Sequence, residues 1–299
     1  MNLENSGEME EGLFKKAVLS MDVEDWYHLE YINNLKDFNN INGPSMKDGI
    51  QKYLDILSKY NLKANFFLVG NFIQNCTKEI QAIIDSQHEI GLHSFNHDRP
   101  ITLSTEEFIN DLEQNIEKVE SLGIKPKGYR APCFALGNSF LDLLARDFKN
   151  LLFDSSYIDQ KEHPLYTPID LNKLNFRKST DGIFKKNGFT EFEVTTIKIY
   201  KYSIPISGGG YIRILPWFIY RFLLKSYLKT GQFYTFYIHP FELSEQKISL
   251  PKGVSYINRF RFHFNRKKTY RRTEKTIQLL KEYGYSFHTF SELTANNIH

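Results

Sequence analysis

Cysteine is almost absent from this chain: 299 residues contain two, Cys76 and Cys133. No disulfide framework can rest on one pair of that kind, and a reducing compartment fits. No uncharged apolar run approaches the ~20 residues that span a bilayer. The first residues, Met1 to Glu11, are acidic and polar, without the basic start and apolar stretch of a signal peptide. Together these absences lead us to expect a cytoplasmic protein. Net charge is small, +3, and no nucleic-acid motif accompanies it, so no nucleic-acid partner is expected. No linker-like or low-complexity stretch divides the chain; a tail over 1–15 and one domain over 16–299 are expected.

What is present is a globular composition, 41% hydrophobic and 24% charged, with 25 Phe and 18 Tyr. Apolar runs alternate with helical patterns. Strands are predicted over 17–21, 64–69, 88–93, 127–131, 149–153, 192–199, 233–238 and 285–290. Helices are predicted over 48–60, 77–86, 104–122, 138–148 and 269–283. Such β-then-α repetition implies parallel strands with helical crossovers, in a doubly wound sheet or a barrel. Asp22, His93, Arg130, Asp154 and His239 fall at the carboxyl ends of these strands, where α/β barrels build their sites. The stretch 155–190 is weakly patterned and reads as a long excursion over one face.

The most telling segment runs from His88 to His97, with His93 and His97 four apart. Two imidazoles at that spacing can meet at one point where a strand ends, and a carboxylate would complete a site for a transition metal. Asp22, Glu24 and Asp25 supply acids upstream. The zinc-protease pattern His-Glu-x-x-His is excluded, because the histidine after His88-Glu89 comes one residue late. A single His pair at this spacing is common by chance; the conjunction with other segments gives it weight.

Six segments, in order, resemble the polysaccharide deacetylase family (NodB homology, carbohydrate esterase family 4). They are Ser20-Met21-Asp22-Val23-Glu24-Asp25-Trp26, Ala64 to Gly70, His88 to His97, Gly128-Tyr129-Arg130-Ala131-Pro132, Phe153-Asp154-Ser155-Ser156 and Tyr237-Ile238-His239-Pro240. The Asp-Val-Glu-Asp-Trp form resembles a subgroup tied to surface-polysaccharide synthesis. The resemblance implies an α/β fold, a distorted, incomplete (β/α) barrel, holding one divalent transition metal: zinc, with cobalt or nickel as alternatives. By position, His93 and His97 would be ligands, Asp22 the catalytic base, Arg130 its partner, His239 the acid and Asp154 the group that orients it. The commoner Asp-Asp pair is interrupted by one residue, so the third ligand is Glu24 or Asp25. On a strand Glu24 shares the face of Asp22 and Asp25 points away.

On the substrate side stand Pro132 of the Arg-Ala-Pro motif and Gly208, Gly209, Gly210 and Tyr211. The glycines suit close approach of a ligand, and equally a hinge. The segment 211–228 is apolar and aromatic, suited to a core-facing helix or to an interfacial one. The segment 259–272 carries seven Lys and Arg and no acid, suited to phosphate, an anionic membrane surface or a solvated helix face. The expected partner is an N-acetylated sugar, nucleotide- or lipid-linked, with peripheral membrane contact. The expected reaction is removal of an N-acetyl group from an amino sugar of a surface glycan or its precursor, with acetate released. Rival readings are a carbon–nitrogen hydrolase on a small non-sugar amide and a catalytically silent carbohydrate-binding relative.

Overall fold

The computed structural model describes residues 15–33, 35, 44–160 and 163–295. Residues 1–14 of the expected tail lie outside them. Twelve strands are described: β1 (Lys16–Val23), β2 (Asn65–Leu68), β3 (Glu89–Leu92), β4 (Gly128–Tyr129), β5 (Phe153–Asp154), β6 (Arg177–Thr180), β7 (Ile183–Lys186), β8 (Phe189–Phe192), β9 (Thr196–Ile199), β10 (Tyr202–Pro205), β11 (Tyr234–Ile238) and β12 (Ser286–His288). The main sheet runs β11-β1-β2-β3-β4-β5-β8-β7-β6, and β12 pairs with the start of β1. Every pairing from β11 to β8 is parallel; β7 and β6 continue as an antiparallel hairpin.

The chain adopts this curved sheet because its central strands are buried on both faces. In β1 every residue after Lys16 is buried, as a parallel strand covered by helices requires. Helices Asp48–Tyr60, Thr77–Asp85, Thr105–Glu120 and Asn138–Asp147 alternate with the first strands. Ser104 and Glu107 form a reciprocal cap at the start of the third of these. Inside the curve, Phe67, Phe153, Phe192, Phe233 and Phe290 pack as an aromatic floor, with ring centroids 4.8 Å apart for Phe192 and Phe290. Aromatic pairs of this kind add about 0.5–1.5 kcal/mol each beyond area burial.

The barrel is incomplete between β11 and β8, where no ladder runs directly. The seam is held instead by Thr235, whose N–H donates to Thr195 Oγ1 and whose hydroxyl donates to the Glu193 carbonyl, each at 2.8 Å. Tyr237 N–H donates to the Ser207 carbonyl at 2.7 Å. The distorted, incomplete barrel expected from the sequence is the fold observed.

Several segments differ from expectation. The strand predicted over 192–199 is two: β8 ends at Phe192, and residues 193–195 leave it to close the seam before β9. The excursion 155–190 contains the hairpin β6–β7 rather than a loop throughout. The helical segment 211–228 breaks at Pro216 into Gly209–Ile214 and Trp217–Leu228, since proline removes a backbone donor. The last long helix begins at Arg266, after Asn265 takes a left-handed conformation. Among the described residues no helix is long and apolar enough to cross a membrane.

Candidate active site

β1 delivers Asp22 and, just past its end, Glu24 to one end of the sheet, both buried. β3 ends one residue before His93, and the chain then turns through two left-handed residues, Ser94 (φ 63°) and His97 (φ 64°). That wound loop, not a helix, brings the imidazoles together at a ring-centroid distance of 5.2 Å. Asp111 on helix Thr105–Glu120 anchors the loop. Its Oδ1 accepts from Ser94 Oγ at 3.0 Å, Phe95 N at 2.9 Å and Asn96 N at 3.4 Å. Burial raises the Asp111 carboxyl to about 6 in spite of these donors.

Glu24, His93 and His97 each place one ligand atom within 4.8 Å of the other two. Glu24 Oε2 lies 3.9 Å from His93 Nε2 and against His97 Nε2. His97 Nε2 is buried and lacks hydrogen-bond geometry to any described group. His93 Nδ1 is engaged by the Arg130 carbonyl at 2.7 Å, which leaves Nε2 aimed inward. Burial lowers His93 to about 4, favouring the neutral imidazole that a metal requires. Burial opposes ionisation of Glu24, but His97 and His239 outweigh it and hold the carboxyl well below the usual range. Two imidazoles and a carboxylate converging in this way fit a divalent transition metal.

Asp25 is turned away from this cluster. Its Oδ1 accepts from Trp26 N at 2.8 Å and Met46 N at 3.0 Å, capping the turn Trp26–His28. As an alternative ligand it is corrected: β1 ends at Val23, and Asp25 caps the turn that follows it while Glu24 joins the cluster.

Arg130, fully buried at the end of β4, binds Asp22 Oδ1 at 2.7 Å and Ser20 Oγ at 2.8 Å through one nitrogen. Its other nitrogens donate to the Ser155 carbonyl at 3.1 Å and Ser155 Oγ at 3.0 Å. The guanidinium rests 4.2 Å from the centroid of Phe67 in the aromatic floor.

His239 caps the short helix Pro240–Leu243 and points Nε2 to within 3.8 Å of Asp22 Oδ2 and 3.7 Å of Glu24 Oε1. Its Nδ1 meets Glu242 Oε2 at 2.9 Å. Burial works against its charge, but Glu24, Glu242 and Asp22 together raise it to about 9. The expected partnership with Asp154 is therefore corrected: Glu242 orients this imidazole. Asp154 instead receives the Ser156 N–H and hydroxyl at 2.9 Å each and stands opposite Glu191 on the neighbouring strand β8. Burial first, and the Asp154 charge second, push Glu191 well above its ordinary value, so Glu191 carries the proton. Ser156 Oγ accepts from Ala131 N at 2.8 Å, tying this pair to the Arg130 segment.

These groups open into a cavity of about 170 Å³ walled by Leu29, Tyr31, Phe134, Leu165, Tyr166 and Tyr237. Cys133 lies in its wall, its thiol pushed up by burial and neighbouring acids. Pro132, Gly208, Gly209, Gly210 and Tyr211 do not line it. Pro132 is buried at the head of a 3-10 turn. A Cβ on Gly208 would stand 2.2 Å from the Tyr237 carbonyl, and on Gly209 2.5 Å from the Tyr237 hydroxyl. Both glycines thus serve packing onto β11, not ligand approach. Tyr211 Oη accepts from Gln160 Nε2 at 3.5 Å. Sequence reasoning missed Glu242, Asp111 and Glu191. Glu242 had a signal, His-Pro-x-Glu being a capping pattern; the other two are lone acids in amphipathic segments.

Residues 41–147 match the family profile described as polysaccharide deacetylase, and residues 155–295 one described as a domain of unknown function (DUF3473). A peptidoglycan deacetylase of Helicobacter pylori is 30% identical over 123 residues, 40% of this chain and 41% of that protein. An uncharacterized protein of Bacillus subtilis, YlxY, is 35% identical over 97 residues, 32% of this chain and 30% of that one. The matches thus span less than half the length of these relatives. Among solved structures, a candidate polysaccharide deacetylase from Mycobacterium smegmatis superposes with TM-score 0.60 at 17% identity, covering 95% of this chain and 91% of that one. A carbohydrate esterase 4 pseudoenzyme from Bacillus anthracis gives 0.52 at 16%, covering 94% and 66%. These structural likenesses speak to the fold. The family match over residues 41–147 identifies a polysaccharide deacetylase domain of the NodB-homology type in this chain.

Proposed function

We propose that this protein is a metal-dependent N-deacetylase that removes the acetyl group from an amino sugar of a surface glycan or its precursor. One observation carries the reading. Asp22, braced by Arg130, stands beside the converging Glu24, His93 and His97, with the His239 imidazole across from both acids. A water-activating base, a ligand set and a proton donor thus face one cavity.

Glu24, His93 and His97 would hold the metal, which when bound polarises an amide carbonyl and brings the pKa of water down to about 7. Asp22 takes the proton of the attacking water, whose oxygen bonds to the acetyl carbon. The carbon–nitrogen bond breaks as His239 gives its proton to the leaving nitrogen; the products are acetate and a free amine. Arg130 fixes the Asp22 rotamer, and Glu242 fixes the imidazole so that only Nε2 faces the cavity. Tyr31, Phe134 and Tyr166 offer flat apolar faces suited to a sugar ring.

The test joins metal content to acetate release. Purified protein should carry about one transition metal per chain, lost in His93→Ala/His97→Ala. It should release acetate from N-acetylated oligosaccharides, and Asp22→Asn should retain metal but lose roughly 10²–10⁴-fold in kcat. Metal-loaded protein inert on N-acetyl sugars but active on small amides would favour the non-sugar hydrolase. Protein that binds glycan with no turnover, in wild type and Asp22→Asn alike, would favour the silent relative.

A further inference from the structure

Charge is distributed very unevenly in this chain. Residues 194–273 hold fifteen Lys and Arg and only two acids, Glu242 and Glu245, although the whole protein carries just +3. Both acids are already engaged: Glu242 is buried on Arg213 and His239, and Glu245 pairs with Lys52. Some cations are structural. Arg213, Arg259, Arg266 and Arg272 spend their donors on backbone carbonyls and hold helices Gly209–Ile214, Tyr256–His263 and Arg266–Glu282 together. Others are not spent in this way. Arg221, Lys229, Arg261, Lys267, Lys268 and Arg271 are exposed.

The same region carries an apolar exposure. Helix Trp217–Leu228 buries Tyr220, Leu223, Leu224 and Tyr227 inward, yet leaves Phe218 74% and Phe222 69% exposed, one turn apart. Ile214, one turn earlier across Pro216, is 40% exposed. Helix Tyr256–His263 adds Tyr256, Ile257 and Phe260, all exposed, and its last carbonyls are gripped by Arg213 beside Ile214. Arg272 bonds the carbonyls of Ile212, Arg213 and Leu215, so the basic first turns of helix Arg266–Glu282 abut the apolar stripe. A soluble surface has no reason to expose two phenylalanines on one helix face with cations around them. A lipid interface does: rings enter the acyl boundary while Lys and Arg meet anionic headgroups.

From this juxtaposition we propose that residues 209–272 form a docking surface for an anionic bilayer, with Phe218 and Phe222 as the inserted anchors. The surface adjoins the cavity, because Phe262 of helix Tyr256–His263 belongs to the buried cluster against which the cavity-lining Leu29 and Tyr31 pack. Docking therefore presents the cavity to glycan held at the lipid surface. A second copy of the chain is the weaker occupant, since two such basic faces would repel each other.

The experiment is flotation of the purified full chain with phosphatidylcholine vesicles, with and without phosphatidylglycerol, at about 0.15 M and about 1 M salt. Wild type should float only with anionic vesicles and detach at high salt. Phe218→Ser/Phe222→Ser and Lys267→Glu/Lys268→Glu/Arg271→Glu should each lose roughly tenfold in partitioning. Circular dichroism and unfolding midpoints should match wild type for both variants; the salt dependence of wild type tests the charges even if the triple variant misfolds. Three results overturn the proposal. One is no partitioning of wild type. A second is partitioning unchanged by the phenylalanine pair, which is plain charge adsorption. The third is a dimer, disrupted by that pair, with no vesicle binding.

Discussion

Replacing Arg130 by methionine keeps most of the stem that packs on Phe67 and removes the charge. The loss falls on groups that water cannot reach. Asp22, 2% exposed, loses its counter-charge, and Ser20 Oγ, Ser155 Oγ and the Ser155 carbonyl each lose a donor. Removing one member of a buried pair costs about 3–5 kcal/mol, chiefly the desolvation of the charge left behind. At this chain length that corresponds to a fall in Tm of roughly 5–8 °C. Adding Asp22→Asn removes the stranded charge, so the double variant should recover about 2 kcal/mol relative to Arg130→Met alone, while activity stays lost. Arg130→Lys should restore charge but not the fork geometry, leaving stability intermediate. The assay is urea and thermal unfolding of the four proteins of the cycle at pH 7. A cost below about 1 kcal/mol for Arg130→Met would refute the reasoning. So would an Asp22→Asn effect identical on both backgrounds.

Other outcomes follow from the same geometry. Glu191→Gln should be nearly neutral at pH 7, since it mimics the protonated acid, whereas Glu191→Ala should cost about 1–3 kcal/mol by stranding the Tyr157 N–H group. Because the folded chain holds a proton that unfolded Glu191 releases above its ordinary value of 4.5, wild-type stability should fall as pH rises from there toward the raised folded value. Glu191→Gln should flatten that slope in pH-dependent urea titrations. Gly208→Ala, at φ 109° and facing the Tyr237 carbonyl, should cost about 2 kcal/mol or more by thermal unfolding. A tolerated alanine would return the glycine to a ligand-binding role. Glu24→Gln should lower metal affinity measured by equilibrium dialysis. Asp25→Ala should leave it unchanged and cost about 1–2 kcal/mol of stability through the lost cap.

Much of this arrangement is legible in sequence because it is written in short segments. Asp22 stands near the end of a buried strand with Glu24 two residues on, and His93 follows the buried run Ile90-Gly91-Leu92. The substrate side is legible only in part, since a glycine that admits a ligand and one that admits a neighbouring carbonyl look alike. Gly208 and Gly209 proved to be the second kind. Asp154 sits beside a motif and invites a catalytic role, yet β5 lies next to β8, so its partner is Glu191 and not His239. Such partnerships depend on strand order, which separates residues 37 positions apart from those 85 apart only once the sheet is built. The basic segment was visible as charge, but the division between carbonyl-capping arginines and free cations depends on where the helices end.

The loop between His93 and His97 has a consequence for how a metal would come and go. Its two left-handed residues and its contacts with Asp111, Gly70 and Asn71 are supplied wholly by the protein. Ordering of the ligands is therefore completed when the chain folds, not when an ion arrives. In zinc fingers the two events are one, and a chelator unfolds the domain. Here a chelator should strip the ion and leave the barrel standing, so that metal exchange becomes a property of three side chains and not of the fold.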